Sequence, residues 1–348
     1  MDALLWQEKS LSLLDQTKYP REEVWYEYKD HRKVLELLRT PAVSGDSIIA
    51  IAGAYAYCLA AIELEGAPDL FQQLTRVKET LLADHPGCRP LQDAMSRMDK
   101  VWEQYRNSPE LIVAFQAMAV TVHRQDVIAA RAISREGREI MPDEAIVVLS
   151  CRNVFHPGTL GGPLGVLRGA KAKGRVSKVF LCENRPHLEG ATLVAKELAD
   201  LQIPTALIPD HAAATLMPRR SCDLVLIEGL RMAANGDLLA GPGTYELAIA
   251  AYFHSIPVYA TIRLADWDTS IPDGESFPKT DMEPAQVSAL YGEAALPEGV
   301  EAWCPQHDML PNYLFNGLMT EKGLVFPPYS ETLPEAMTRT VDKPVLFL

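Results

Sequence analysis

The sequence predicts an α/β protein, with a mainly helical N-terminal domain followed by a Rossmann-like doubly wound parallel sheet domain. Three observations carry this. Helical periodicity dominates from Ser47 to about residue 140, and short β-branched runs alternate with helical segments beyond it. The length of 348 residues suggests two domains.

The elements follow in order. LSLLDQTKYP ends in a proline turn, and REEVWYEYKDHRKVLELLRT predicts a short strand and then a helix. Helices are expected from Ser47 to about Glu65, Asp69 to Ala83 and Leu91 to Tyr105. The next helix has Ser108 as N-cap and Pro109 in its first turn, and it is long enough to link two domains. Then EAIVVLS, SKVFLCE, TALIPD, DLVLIEG and IPVYATI read as strands, separated by PLGVLRGAKAKG, EGATLVAKELADL, HAAATLM and GTYELAIAAYFHS as helices. The domain boundary falls near 130–143, giving domains 1–135 and 136–348. DTSIPDGESFPKTDMEP is a proline-rich loop.

Composition excludes several classes. Hydrophobic content of 48% supports a sizeable core, while the net charge of −13 comes without a Lys/Arg-rich run. Nucleic acid and membrane are therefore not expected as partners; a small-molecule ligand is. The N-terminus lacks the pattern of a signal peptide, and SIIAIAGAYAYCLAAIELEG reads as a buried helix rather than a span. Six cysteines without CxxC or Cys/His spacing indicate reduced thiols and a cytoplasmic location, with no metal and no cofactor. LGGPLG lacks the spacing of a dinucleotide fingerprint.

In LIEGLRMAANGDLLAGPGTYELAIAA (226–251) an apolar run meets Glu228, a small-residue loop follows, and a helix begins at about Thr244. Ligands of open α/β sheets bind beyond the carboxyl ends of strands, so this stretch is one wall of the expected site.

The order of motifs resembles the methylthioribose-1-phosphate isomerases, the ribose-1,5-bisphosphate isomerases and the alpha-type subunits of translation initiation factor 2B. VSGDSIIAIAGAYAY, CRPLQDAM, CENRPHLEGATLVAKEL, PDHAAATLM, IEGLRMAANGDLLAGPGT, PEGVEAWCPQHDMLP and TEKGLVFPPY carry the resemblance over nearly the whole chain. It implies a homodimer formed through the sheet domain. It also implies isomerisation of an aldose 1-phosphate, using an Asp in G-A-D-R, a Cys after the first sheet strand, an Arg in V-R-G and an N-K pair. Here the Asp position is Leu230, the N-K pair is Ala240 and Gly241, and the arginine is Ser44, with Asp46 two residues on. Cys151 takes the Cys position if one gap is allowed, and Ser150 takes it otherwise.

Where the resemblance places a phosphate, two cations are lost and a carboxylate is gained. One like-charge pair costs about 4 kcal/mol at about 4 Å and an effective dielectric of about 20. A sugar 1-phosphate is therefore expected to bind poorly. Glu228 lies two residues before Leu230, and positions i and i+2 of a strand share a face. The carboxylate is thus expected to have moved to Glu228, with a raised pKa from apolar walls, opposite Cys151 as a second catalytic group.

Asp46, Arg89, His156, Arg185, Glu189 and Asp237 are the expected substrate-binding residues. Glu189 stands for a family Gln, Arg89 and Arg185 keep the R-P steps, Asp46 also suits a helix N-cap, and Asp237 suits loop orientation. The expected function is proton transfer or isomerisation on a small sugar-like or polyol metabolite other than the usual sugar 1-phosphate. The alternatives are a non-catalytic ligand-binding or regulatory protein and a methylthioribose-1-phosphate isomerase.

Overall fold

A computed structural model describes residues 2–7, 9–152, 161–219, 221–290, 293–294 and 296–340. The chain divides into two compact units, with the division between Ala130 and Arg131.

The first unit opens with an antiparallel sheet of β1 (Leu4–Gln7), β2 (Ser10–Leu14) and β3 (Trp25–Tyr28). The first two strands add to what periodicity predicted, because strands this short barely register a two-residue repeat. Four helices follow: α1 (His31–Leu38), α2 (Asp46–Glu63), α3 (Leu70–Asp84) and α4 (Arg89–Tyr105). By length and composition α2 qualifies as a membrane span, yet 78% of it is buried inside the protein. Its small residues let neighbours approach closely: a methyl group on Gly53 would stand 2.6 Å from Leu91 Cδ1. Helix α5 (Leu111–Gly137) runs from the first unit into the second. It starts two residues after Pro109, because Ser108 first closes a tight turn by accepting from the Glu110 N–H.

The second unit is built on a ten-stranded sheet whose main path runs β15-β14-β9-β7-β4-β5-β6. In chain order come β4 (Ala145–Ser150), α6 (Gly162–Ala172), β5 (Val176–Cys182), a π-helical turn over 190–194, α7 (Ala195–Asp200), β6 (Thr205–Ile208) and α8 (Ala213–Leu216). Then follow β7 (Leu224–Ala233), β8 (Leu238–Ala240), α9 (Thr244–Phe253), β9 (Val258–Thr261) and β10 (Trp267–Asp268). The C-terminal part holds α10 (Pro284–Ser288), β11 (Ala289–Leu290), β12 (Glu293–Ala294), β13 (Asp308–Leu310), β14 (Gly317–Thr320), β15 (Gly323–Val325) and α11 (Tyr329–Thr338).

Strands β4, β5, β6, β7, β9 and β14 are parallel. Their β-branched runs are buried on both faces under helices, as in Val147, Val148, Val225 and Ile227, each fully buried. From β4 the chain winds one way through β5 to β6. It then returns to β7 on the other side of β4 and winds outward to β9 and β14. The carboxyl ends of β4 and β7 therefore flank the point where strand order reverses, and a crevice opens there in such sheets.

The small-residue loop expected after Gly229 is in fact a hairpin. Strand β7 continues to Ala233 and turns at 234–237 into β8, pairing Met232 with Leu238 and Gly229 with Ala240. The register shifts between Gly229 and Arg231, so half-buried Leu230 sits in a bulge.

Candidate active site

The site is built where β4 ends and where the parallel part of β7 gives way to the β7–β8 hairpin. Register pairs Ser150 with Ile227, so the residues just beyond them, Cys151 and Glu228, emerge side by side. Cys151 Sγ lies 3.9 Å from Glu228 Oε2, and the Arg152 N–H approaches the same oxygen at 3.4 Å. The other carboxylate oxygen faces the start of α6, where a methyl group on Gly162 would stand 3.8 Å from Glu228 Oε1 and 3.5 Å from Thr261 Oγ1. Thr261 ends β9 and pairs with Glu228 in register. Cys151 is 1% exposed and Glu228 is half-buried. The nearest arginine along the strand is committed elsewhere: Arg231 forms an ion pair of 2.5 Å with buried Asp268.

Ser150 points differently from its neighbour. It is 7% exposed and shares a 3.0 Å hydrogen bond with the Asn184 side chain, whose amide nitrogen faces the Cys151 and Cys182 carbonyls at 2.8 and 3.2 Å. Of the two candidates for the Cys position, Cys151 is the one beside the carboxylate. Asn184 has φ of 58° and Leu188 of 60°, so the loop after β5 is held in a backbone conformation that Asn tolerates and Leu resists. Asp210 fixes that loop by accepting from the N–H groups of Asn184 at 2.9 Å and Arg185 at 2.8 Å. Gly190 is required by close packing, since a methyl group there would stand 2.0 Å from the Cys182 carbonyl oxygen. Burial pushes the Cys182 thiol up to about 12, so it stays protonated beneath the site.

Arg152 crosses this corner. It donates from Nη2 to the Arg185 carbonyl at 2.6 Å and lies over Gly241. A methyl group on Gly241 would meet Arg152 Nε at 2.6 Å and Cδ at 2.7 Å. A side chain at 241 would displace the arginine from this pose. Arg152 Nε, Glu189 Oε2 and Thr261 Oγ1 are buried without a hydrogen-bond partner among the described residues. Such atoms are uncommon and expensive, and Arg152 and Thr261 both neighbour Glu228, one through its backbone N–H and the other through strand register.

Asp308, at the start of β13, accepts from the Tyr245 N–H at the first turn of α9 at 2.8 Å. Burial raises its pKa against that hydrogen bond and the nearby Arg152 charge. Burial also lowers the pKa of adjacent His307, assisted by Arg152.

The other expected residues fall as follows. Asp237 accepts from the N–H groups of Asn312 at 2.8 Å and Gly274 at 3.0 Å, and from the Asn235 side chain at 2.8 Å, so it ties three loops together. Arg185 is exposed and engages the site through its backbone. In the first unit, Asp46 is the first residue of α2 behind Gly45, and Arg89 opens α4 behind Cys88. Cys88 Sγ donates to the Asp46 carbonyl at 3.6 Å, which places these two helix starts together. Ser44 is pinned by the Gln16 side chain at 2.5 Å. His156 lies outside the described residues. Sequence reasoning missed Arg152, Thr261 and Asn184. The one available signal was an arginine directly after Cys151.

A helical unit joined to a doubly wound, mostly parallel sheet, with a thiol and a carboxylate together at the switch point, defines a two-unit α/β protein. The chain belongs to the initiation factor 2 subunit family, whose model matches residues 42–327. It is 34% identical over 340 residues to a methylthioribose-1-phosphate isomerase of Desulforudis audaxviator, covering 97% of this chain and 98% of that one. Its fold is similar to the crystal structure of 5-methylthioribose 1-phosphate isomerase from Pyrococcus horikoshii, with a TM-score of 0.88, 26% identity and coverage of 97% and 95%. It is nearly as similar to the structure of translation initiation factor eIF-2B, subunit delta, from A. fulgidus, with a TM-score of 0.85, 26% identity and coverage of 97% and 99%.

Proposed function

We propose that the chain is an isomerase acting by proton transfer on a small sugar-like or polyol metabolite other than a sugar 1-phosphate. The observation that carries this reading is the Cys151–Glu228 pair, 3.9 Å apart where the parallel pairing of adjacent strands stops and the sheet order reverses. Glu228 moves the proton at the carbon next to the carbonyl, and the Cys151 thiol hydrogen-bonds the reacting oxygen. A positioned acid or base of this kind contributes roughly 10²–10⁴-fold. The names of the relatives support isomerase chemistry. Leu230, in the place of the family acid, and Gly241, which has no side chain, support a changed substrate. Arg185 and Glu189 serve binding in this reading, and Asp237 holds the loops that frame the site.

A second reading is a non-catalytic ligand-binding protein. It is favoured by the near-equal likeness to the initiation factor subunit and by Leu230, which cannot carry a proton. The chain works as a homodimer in either reading. Tyr245, Ile249, Tyr252 and Phe253 are 41%, 43%, 64% and 82% exposed along α9, an apolar face suited to a second copy.

A thermal-shift titration with methylthioribose 1-phosphate, ribose 1-phosphate and their unphosphorylated sugars tests the substrate assignment. A ligand at 100 times its dissociation constant adds about 2.7 kcal/mol of stability. The sugar 1-phosphates are expected to give no shift at micromolar concentration. A clear shift with methylthioribose 1-phosphate there overturns the changed-substrate reading.

A further inference from the structure

We propose that Arg152 is the anion-recognising residue of this site, so that the ligand carries one carboxylate or phosphate group. The inference rests on the reading of the strand-end crevice as a small-molecule site and names the class of ligand it takes.

The guanidinium is half-buried, and among the described residues no carboxylate oxygen lies within 4.0 Å of its nitrogens. Arginines withdrawn from water normally pair with an acid, because an uncompensated buried charge is costly. The acids nearby are otherwise engaged. Glu228 takes the backbone N–H of Arg152, not its side chain. Asp308 spends its carboxylate on the Tyr245 N–H at the start of α9. One nitrogen, Nη2, is anchored on the Arg185 carbonyl, which fixes the plane of the guanidinium. Nε is buried without a partner. Among the described residues nothing else engages the fork, and a planar fork with free donors matches the oxygens of a carboxylate or phosphate.

Gly241 lies directly against the arginine, where a methyl group would stand 2.6 Å from Nε and 2.7 Å from Cδ, so a side chain at 241 would displace the guanidinium. A ligand with one oxyanionic end, such as a sugar acid or a sugar bearing a terminal phosphate, satisfies the free donors of the fork.

The test is calorimetric titration of the full-length protein with D-ribonate, D-ribose 5-phosphate and D-ribose at two ionic strengths. The wild type is expected to bind at least one of the anions more tightly than ribose, with an affinity that falls as salt rises. Arg152→Met is expected to weaken anion binding about ten- to hundredfold and to leave ribose unaffected. Arg152→Lys should fall between the two. Gly241→Ser keeps the arginine but displaces it, and should weaken anion binding as well. Unliganded melting temperatures close to wild type show that the variants are folded. Binding of ribonate alone assigns a carboxylate, and binding of ribose 5-phosphate alone assigns a phosphate. Unchanged anion affinity in folded Arg152→Met, or no anion binding by the wild type, overturns the proposal. Arg152-dependent anion binding in a protein with no isomerase activity removes the isomerase reading and leaves this one standing.

Discussion

Gly190 shows how tightly single residues determine the site. Its missing side chain lets the π turn press against the Cys182 carbonyl and Asn184, which in turn holds Ser150 and the Cys151 backbone. Gly190→Ala should cost about 1–3 kcal/mol through forced overpacking, read as a shift in the denaturation midpoint without a change in slope. An unchanged midpoint would mean that the loop after β5 yields easily. At this scale the sequence was partly legible. Glu228 was singled out by strand alternation from Leu230 and Cys151 by the family resemblance, and the structure brings the two side chains to 3.9 Å. Arg152 was not singled out, because its meaning depends on Gly241, which is remote along the chain and meets it only through the sheet.

The β7–β8 hairpin was hidden from sequence reasoning. Small residues in AANGD carry little strand propensity, and the pairing that makes this segment a strand is supplied by β13 and by the register shift at Leu230. Asp237 secures the hairpin turn to two later loops. Asp237→Ala should destabilise the protein by about 1–3 kcal/mol by leaving donors unsatisfied. Amide exchange should quicken at Gly274 and Asn312 but not in β4; uniform acceleration would contradict the local role. The turn between β14 and β15 holds Glu321, whose pKa burial raises above its ordinary 4.5 even though it accepts the Leu264 N–H at 3.0 Å. A carboxyl group whose folded pKa is raised contributes stability that is present below its unfolded pKa and lost as pH rises through the folded value. Wild type should therefore lose stability relative to Glu321→Gln as pH rises above 4.5, and parallel stability curves would contradict this sign.

Across the whole molecule, alternation of β-branched runs with helical segments was enough to read the class of the sheet unit. The C-terminal strands β13, β14 and β15 were not read, because runs of three or four residues lack a usable period. Helix α9 is apolar nearly all round, and its inner residues Leu247, Ala248 and Ala251 are buried while Phe253 is 82% exposed. Phe253→Glu should convert a dimer into a monomer with unchanged secondary structure, measured by light scattering; a variant that stays dimeric would move the interface elsewhere. The central claim is that Glu228 carries the proton of an isomerisation. It is tested most directly by proton NMR in D₂O, following the carbon-bound hydrogens of D-ribose, D-ribulose and their 5-phosphates with wild type and Glu228→Gln. The account predicts exchange at the carbon beside the carbonyl for at least one of these compounds, slowed at least about 10²-fold in the variant. Exchange that survives Glu228→Gln unchanged, or none in any compound with the wild type, would contradict it.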